Sequence, residues 1–135
     1  MDFKIIAIDG PTGVGKSTIA RQLAEKIGCL YVDTGAMFRC LAWSWTAQGC
    51  PESDESLEKL GDKTRIVFEN EKVICDDTDV THEIRTERIS AKASKISGFP
   101  LIREVMKKQQ RALVEEVRRS ESYRGAVLEL SLIHI

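Results

Sequence analysis

Eight residues near the start of the chain, residues 10–17, have the types and the spacing of a phosphate-binding loop. They read GPTGVGKS, which fits the pattern GxxxxGK[ST]. Glycines allow backbone conformations closed to other residues, so successive N–H groups can converge on one phosphate. Lys16 can bridge β- and γ-phosphates, and the hydroxyl of Ser17 can bind the Mg²⁺ that accompanies a nucleotide. The segment predicts a site for the phosphates of ATP or GTP.

The segment YVDTGAMFR, residues 31–39, is the second candidate for chemistry. It follows a predicted strand, at the end where parallel sheets bind ligands. Thr34, Gly35 and Arg39 could together hold a second substrate that carries a phosphate. Two alternatives remain open at this point. Asp33 or Thr34 can be the N-cap of a helix, and Arg39 can be a solvated helix residue.

The elements that must position these residues follow from hydrophobic patterning. FKIIAID (residues 3–9) and CLYVD (residues 29–33) are short apolar runs typical of strands buried on both faces. Between them a helix is predicted to start near Lys16 and to stop at Gly28. A strand, a helix and a strand in this order form a βαβ unit, which requires a parallel sheet. The apolar positions that recur at helical spacing are Ile19, Leu23 and Ile27.

The rest of the chain continues the α/β pattern around a β-rich insertion at residues 63–84. The further predicted elements are a helix from Gly35 to about Gly49, the short helix ESLEKLG, a hairpin of TRIVFEN and KVICDD, a candidate third strand DVTHEI, the helices ERISAKASKIS and LIREVMKKQQRALVEEVRR, and the strand GAVLEL. Trp43 and Trp45 are interpreted as packing residues on the first of these helices. The fold class expected is α/β, a parallel sheet flanked by helices.

Composition excludes several classes of function. The 135 residues carry 20 basic and 21 acidic side chains, so no global charge favours nucleic acid or a membrane. The four cysteines form no CxxC pair, which argues against zinc and for buried thiols in the reduced cytoplasm. No signal peptide or membrane span is expected. The chain has no Asn-Lys-x-Asp segment, so a GTPase is not expected, and a motor ATPase usually needs a longer core.

Four segments in the same order resemble the bacterial-type cytidylate kinases: IAIDGPTGVGKST, YVDTGAMFR, THEIRTERISAKASKIS and FPLIREVMKKQQRAL. The resemblance implies a P-loop kinase fold with a small β-rich domain that binds the nucleoside monophosphate. It implies transfer of the γ-phosphoryl group of ATP, with Mg²⁺, to CMP or dCMP. The implied partners are these small molecules alone, without nucleic acid or membrane, and the full-length protein would be a monomer.

The resemblance also assigns residues. Lys16 and Arg39 would be catalytic, Arg39 on the phosphate of CMP, and Ser94 and Arg103 would bind the cytosine. Phe38 stands where the family usually has tyrosine, so a hydroxyl is missing there, and the role of Arg85 stays open. The residues expected around ATP are Gly10, Pro11, Thr12, Gly13, Val14, Gly15, Lys16, Ser17 and Thr18, with Ser17 also on the metal. Those expected around CMP are Thr34, Gly35, Phe38, Arg39, Ser94 and Arg103.

The resemblance ends at Glu129, where the family continues with a Gly-Arg-Asp segment and this chain reads LSLIHI. We therefore expect a truncated and nearly inactive kinase domain, without its lid and its last core strands. Its core would be residues 1–35 and about 99–130, its monophosphate-binding insertion residues 36–98, and its aberrant tail residues 130–135. The alternatives are a non-catalytic module that binds ATP and a P-loop kinase for another small acceptor.

Overall fold

The computed structural model describes residues 2–9, 16–49, 51, 53–69 and 71–130, with only the backbone described at Lys16. The predictions about residues 10–15, the side chain of Lys16 and the tail from residue 131 lie outside this description. In chain order the elements are β1 (Lys4–Ile8), α1 (Lys16–Ile27), β2 (Leu30–Asp33), α2 (Thr34–Gln48), α3 (Asp54–Lys63), β3 (Ile66–Glu69), β4 (Lys72–Cys75), β5 (Thr78–Asp79), a 3-10 turn (Glu83–Arg85), α4 (Glu87–Ile96), α5 (Ile102–Ser120) and β6 (Gly125–Glu129).

The chain forms two compact units, which we call the first unit (residues 1–35 and 111–135) and the second unit (residues 36–110). The boundaries fall inside α2 and inside α5. Within the described residues, no helix is both long and apolar enough to cross a lipid bilayer.

The first unit contains the predicted parallel sheet, with β6 between β1 and β2. The first four residues of β6 are all buried, as expected for an apolar strand with a neighbour on each side. Gly125 opens this strand against the backbone of Lys4, where a Cβ atom would overlap the Lys4 carbonyl. The strand can therefore start so close to β1 only with glycine at this position.

One face of this sheet packs on α1. Ala20 and Ala24 of the helix form a buried cluster with Cys29 and Val127, and further apolar side chains pack around it. The small alanines allow the helix to lie close to the sheet. The side chains packed around the cluster are Ile6, Ile8, Ile27 and Tyr31.

Two predictions about the first unit were wrong in detail. β1 is not buried on both faces, because Ile5 is 51% exposed. In the described sheet β1 is an edge strand, and its side chains Ile6 and Ile8 are the ones that pack toward α1. Ile19 is 60% exposed, because α1 turns Ala20 and Ala24 inward instead.

In the second unit, α2 is buried around most of its circumference between Ala36 and Trp45. Phe38, Leu41 and Trp45 are almost completely buried, and the Trp45 ring makes an edge contact with Phe99 at 5.4 Å between centroids. Trp45 is thus a packing residue, as predicted. Its indole N–H donates to the carbonyl of Pro51 at 3.3 Å, which satisfies its polar group.

The predicted hairpin is confirmed as an antiparallel β3–β4 pair, in which Ile66 lies opposite Cys75. The third strand is shorter and earlier than predicted, because β5 contains only Thr78 and Asp79. The chain then leaves the sheet, and Ile84 is buried from the 3-10 turn. The hydroxyls of Ser53 and Thr86 cap α3 and α4 by accepting hydrogen bonds from backbone N–H groups.

Candidate functional site

The carboxyl ends of the three parallel strands form one edge of the first unit. Glu129, the last residue of β6, is in register with Ile8 of β1 and with Asp33 of β2. Ligands of parallel α/β sheets bind at this edge, because the loops that follow the strands meet there. The predicted phosphate loop follows β1 at the same edge, and the predicted acceptor segment follows β2.

The context of the phosphate loop is confirmed. β1 ends at Ile8, and α1 begins at Lys16, so the glycine-rich segment joins a strand to a helix as the motif requires. Ser17 and Thr18 are exposed in the first turn of α1. Unpaired N–H groups and the helix dipole favour an anion at this terminus. The residues 10–15 themselves lie outside the described part of the chain.

Glu129 is held by a side chain from the neighbouring strand. The hydroxyl of Tyr31 donates to Oε1 of Glu129 at 2.5 Å, a distance typical of a hydrogen bond to a charged carboxylate. Tyr31 is in register with Val127, and Glu129 follows Val127 by two residues on the same face of the strand. The phenol therefore extends along that face to reach the carboxylate.

The environment of Tyr31 keeps its hydroxyl protonated. Burial raises the pKa of Tyr31 well above its ordinary value, and the hydrogen bond to Glu129 and the negative charge of Asp33 add to the effect. The guanidinium of Arg21 lies 5.2 Å from the centroid of the ring and lowers the pKa slightly in return. The Tyr31 hydroxyl thus keeps its proton to a higher pH than an ordinary tyrosine and can donate it to Glu129.

Thr34 is the first residue of α2 and is only 3% exposed. Its hydroxyl donates to the backbone carbonyl of Glu129 at 2.7 Å. The proton of this hydroxyl is therefore used inside the protein, where it ties the start of α2 to the end of β6. Its predicted contact with a substrate remains a prediction.

Of the other residues predicted to bind CMP, Gly35 lies in the part of α2 that belongs to the first unit, and the rest lie on helices of the second unit. Phe38 is fully buried in α2, whereas Arg39 on the same helix is partly exposed. Ser94 is exposed on α4, and Arg103 is exposed in the first turn of α5. The two arginines and Ser94 thus keep the solvent access that binding would require. Exposed positions also include Arg85, in the 3-10 turn.

Sequence reasoning missed Glu129 and Tyr31 as functional candidates. The signal for Glu129 was present, because the predicted strand GAVLEL carries a carboxylate next to its last residue, in a fold that binds nucleotides at strand ends. The signal for Tyr31 was absent, since its partner lies 98 residues away in the chain.

The donors at this edge suit a magnesium ion. Ser17 offers a hydroxyl and Glu129 a carboxylate, both hard oxygen ligands. Among the residues that the structure describes, no group of three or more His, Cys, Asp and Glu side chains could hold a metal by itself.

Comparison with known proteins identifies the family. The family model described as cytidylate kinase matches residues 6–120. A cytidylate kinase of Chloroherpeton thalassium is 43% identical over 129 residues, which are 93% of this chain and 52% of that protein. One of Caldanaerobacter subterraneus subsp. tengcongensis is 41% identical over 111 residues, which are 82% of this chain and 50% of that protein.

A third relative, the cytidylate kinase of Rhodopirellula baltica, is 38% identical over 110 residues, which are 81% of this chain and 48% of that protein. The chain thus spans about half the length of the curated relatives it matches. The match includes the end of β1, all of α1, the segment of residues 31–39 and all of α5. On these grounds the chain belongs to the cytidylate kinase family.

Proposed function

We propose that the protein to which this chain belongs transfers the γ-phosphoryl group of ATP to CMP or dCMP, giving ADP and CDP or dCDP. The observation that carries the proposal is the family match over residues 6–120, which includes the phosphate-loop motif between β1 and α1 and the predicted acceptor segments. Substrates and products are small molecules of pyrimidine nucleotide metabolism.

On the donor side, Gly10 to Thr18 would hold the phosphates of ATP, with Lys16 as the cation nearest the transferred group. Ser17 and Glu129 would hold Mg²⁺, Glu129 directly or through water. The metal ion, when bound, neutralises charge on the β- and γ-phosphates. Support for this arrangement comes from the strand–loop–helix context and from the hard oxygen donors at the same edge.

On the acceptor side, Arg39 would neutralise the phosphate of CMP, and Ser94 with Arg103 would bind the cytosine. Thr34, Gly35 and Phe38 complete the set that the family resemblance assigns to CMP. No general base is required, because the attacking phosphate oxygen is already ionised. Catalysis in such a site consists of positioning and of electrostatic stabilisation of the transferred group.

We also place the protein in the cytoplasm, where ATP and CMP are available. The described cysteines Cys29, Cys40 and Cys75 are buried thiols outside any disulfide, which suits a reducing compartment.

Calorimetric titration of this chain with ATP, CMP, dCMP, UMP and AMP tests the proposal. We expect binding of ATP together with a preference for CMP or dCMP over UMP and AMP. Binding of ATP without any preference among the monophosphates would favour a nucleotide-binding module. In the full-length protein, release of ADP that depends on CMP tests the reaction itself.

Two variants separate the donor from the acceptor side. Lys16→Ala should weaken the binding of ATP roughly tenfold or more, because a hydrogen bond between charged groups contributes at least that much. The affinity for CMP should stay nearly unchanged. Arg39→Ala should do the reverse. Lys26→Ala, in the last turn of α1, and Arg119→Ala, an exposed residue of α5, are the matched controls. Equal losses for both nucleotides in either variant would contradict its assignment.

A further inference from the structure

We infer that Tyr31 is a positioning residue for the proposed kinase reaction, because its hydroxyl holds the Glu129 carboxylate in the orientation that serves the magnesium–nucleotide complex. The inference rests on the proposed function. It gives a role to a residue of β2 that lies outside the set assigned from the family resemblance.

The hydrogen bond fixes one oxygen of the carboxylate, and the inference assigns the other oxygen to the ligand. Tyr31 donates to Oε1 of Glu129 at 2.5 Å. A glutamate at the end of a strand has three rotatable bonds, and each fixed rotamer costs entropy when a ligand binds. A donor that holds Oε1 in advance removes part of that cost and orients Oε2.

The position of the pair in the sheet places the carboxylate on the face and at the edge where α1 begins. Tyr31 packs against the cluster of Ala20, Ala24 and Val127, so it lies on the face of the sheet that α1 covers. Glu129 shares that face, since it follows Val127 by two residues. The helix α1 starts from the carboxyl edge of the sheet, where β6 ends at Glu129. Carboxylate and first helical turn therefore share one face and one edge.

The ring of Tyr31 is itself restrained. It packs on the apolar cluster, and the guanidinium of Arg21 on α1 lies 5.2 Å from its centroid, within the range of a cation–π contact. A ring fixed in this way presents its hydroxyl in one place. Residues that orient a metal ligand typically affect metal affinity by about 10- to 100-fold, although they never touch the metal.

The test uses calorimetry to measure the affinity for ADP in the presence of Mg²⁺ and in the presence of EDTA. Both affinities are measured for this chain and for its Tyr31→Phe variant. We expect Tyr31→Phe to weaken the binding of Mg·ADP about tenfold and to change the affinity for metal-free ADP by less than about twofold. Tyr123→Phe, at an exposed tyrosine of the first unit, is the matched control and should change neither affinity. Equal losses for the two forms, or no loss, would overturn the inference, since a purely structural tie would not distinguish them.

A double-mutant cycle with Glu129→Gln tests whether the effect passes through the carboxylate. Glu129→Gln alone should reduce the ratio of the affinity for Mg·ADP to the affinity for metal-free ADP. Adding Tyr31→Phe should reduce this ratio no further. Independent, additive losses would contradict the positioning role. If the unaltered chain bound neither form of ADP, the proposed donor site would fail for this chain, and this outcome is distinct from both others.

If Tyr31→Phe does not fold, a second experiment tests the inference without removing the Tyr31 hydroxyl. The chain has two tyrosines, so a Tyr123→Phe background grown with 3-fluorotyrosine carries a single ¹⁹F label at position 31. Addition of Mg²⁺ to the ADP complex should shift this resonance more than addition of metal-free ADP does. A resonance that responds to ADP but not to Mg²⁺ would overturn the inference.

Discussion

Thr34 and Glu129 are joined by a hydrogen bond from the threonine hydroxyl to the glutamate backbone carbonyl, 2.7 Å long. The bond joins the first residue of α2 to the last residue of β6, two elements that 95 residues separate in sequence. Because Thr34 is 3% exposed, water has little access to the hydroxyl.

Replacement of Thr34 by valine should destabilise the protein by about 1–3 kcal/mol, because the Glu129 carbonyl loses its partner while the shape of the side chain is kept. Thr34→Ser retains the donor and should recover most of that loss. The free energy of unfolding in urea measures both. Equal stability of the valine and serine variants would show that the hydrogen bond contributes nothing.

Gln109 should be the most sensitive polar residue of α5. It is 5% exposed, and its side-chain amide donates to the carbonyls of Gly61 and Thr64 at the end of α3. Gln109→Met, which is similar in volume, should cost about 2–4 kcal/mol, since two carbonyls lose a partner. The control is Gln110→Met at the next, less buried position. Thermal unfolding measures the stability of both variants. Similar losses of stability in the two would contradict this explanation.

Gly61 should resist replacement although it lies inside a helix. Alanine normally stabilises such a position by about 1 kcal/mol, but here its methyl group would overlap the side chain of Val105. We expect Gly61→Ala to destabilise by about 1–3 kcal/mol. Val105→Ala should relieve the overlap, so the double variant should lose less than the sum of the single losses. Strict additivity in urea unfolding would contradict the overlap.

The raised pKa of Tyr31 predicts sensitivity to alkali. In the unfolded chain tyrosine loses its proton near pH 10, whereas burial and the bond to Glu129 keep Tyr31 protonated to higher pH in the fold. Above about pH 10 the unfolded state therefore binds fewer protons, and stability falls as the pH rises. Urea unfolding between pH 8 and pH 11 should show a steeper decline for the unaltered chain than for Tyr31→Phe. Parallel curves would contradict the prediction.

Arg103 should determine the choice of base under the proposed function. A guanidinium can donate to the carbonyl and ring nitrogen of cytosine, while uracil presents a ring N–H to it, a mismatch worth roughly 1–3 kcal/mol. Arg103→Met should therefore reduce the ratio of CMP affinity to UMP affinity about tenfold in calorimetry. Arg111→Met, at an exposed position of the same helix, is the control. An unchanged ratio would remove Arg103 from the site.

Elements with a strong local pattern were predictable from the sequence. The first strand, the helix after it and the β3–β4 hairpin occur where alternation, apolar runs and turn residues place them. Ile19 was misjudged because helical spacing gives several apolar stripes, and only packing decides that Ala20 and Ala24 face the sheet. The strand DVTHEI was misjudged because Ile84 is buried from a turn rather than from a strand.

The candidate site was predictable where one segment carries it and not where distant segments meet. The phosphate loop is a local motif, so its strand and helix could be anticipated. The hydrogen bonds of Glu129 with Tyr31 and Thr34 join positions almost a hundred residues apart. Nothing in the sequence around either partner specifies which strands become neighbours.

The order of strands has a consequence for how the chain folds during synthesis. β1 and β2 leave the ribosome before β6, yet in the described sheet each pairs with β6 and not with the other. The pairs of this sheet can therefore form only after residues 125–129 have been translated. Pairing between such distant segments is intrinsically slow. Until then the nascent chain exposes two apolar segments without their partner strand, a state prone to aggregation and to chaperone capture.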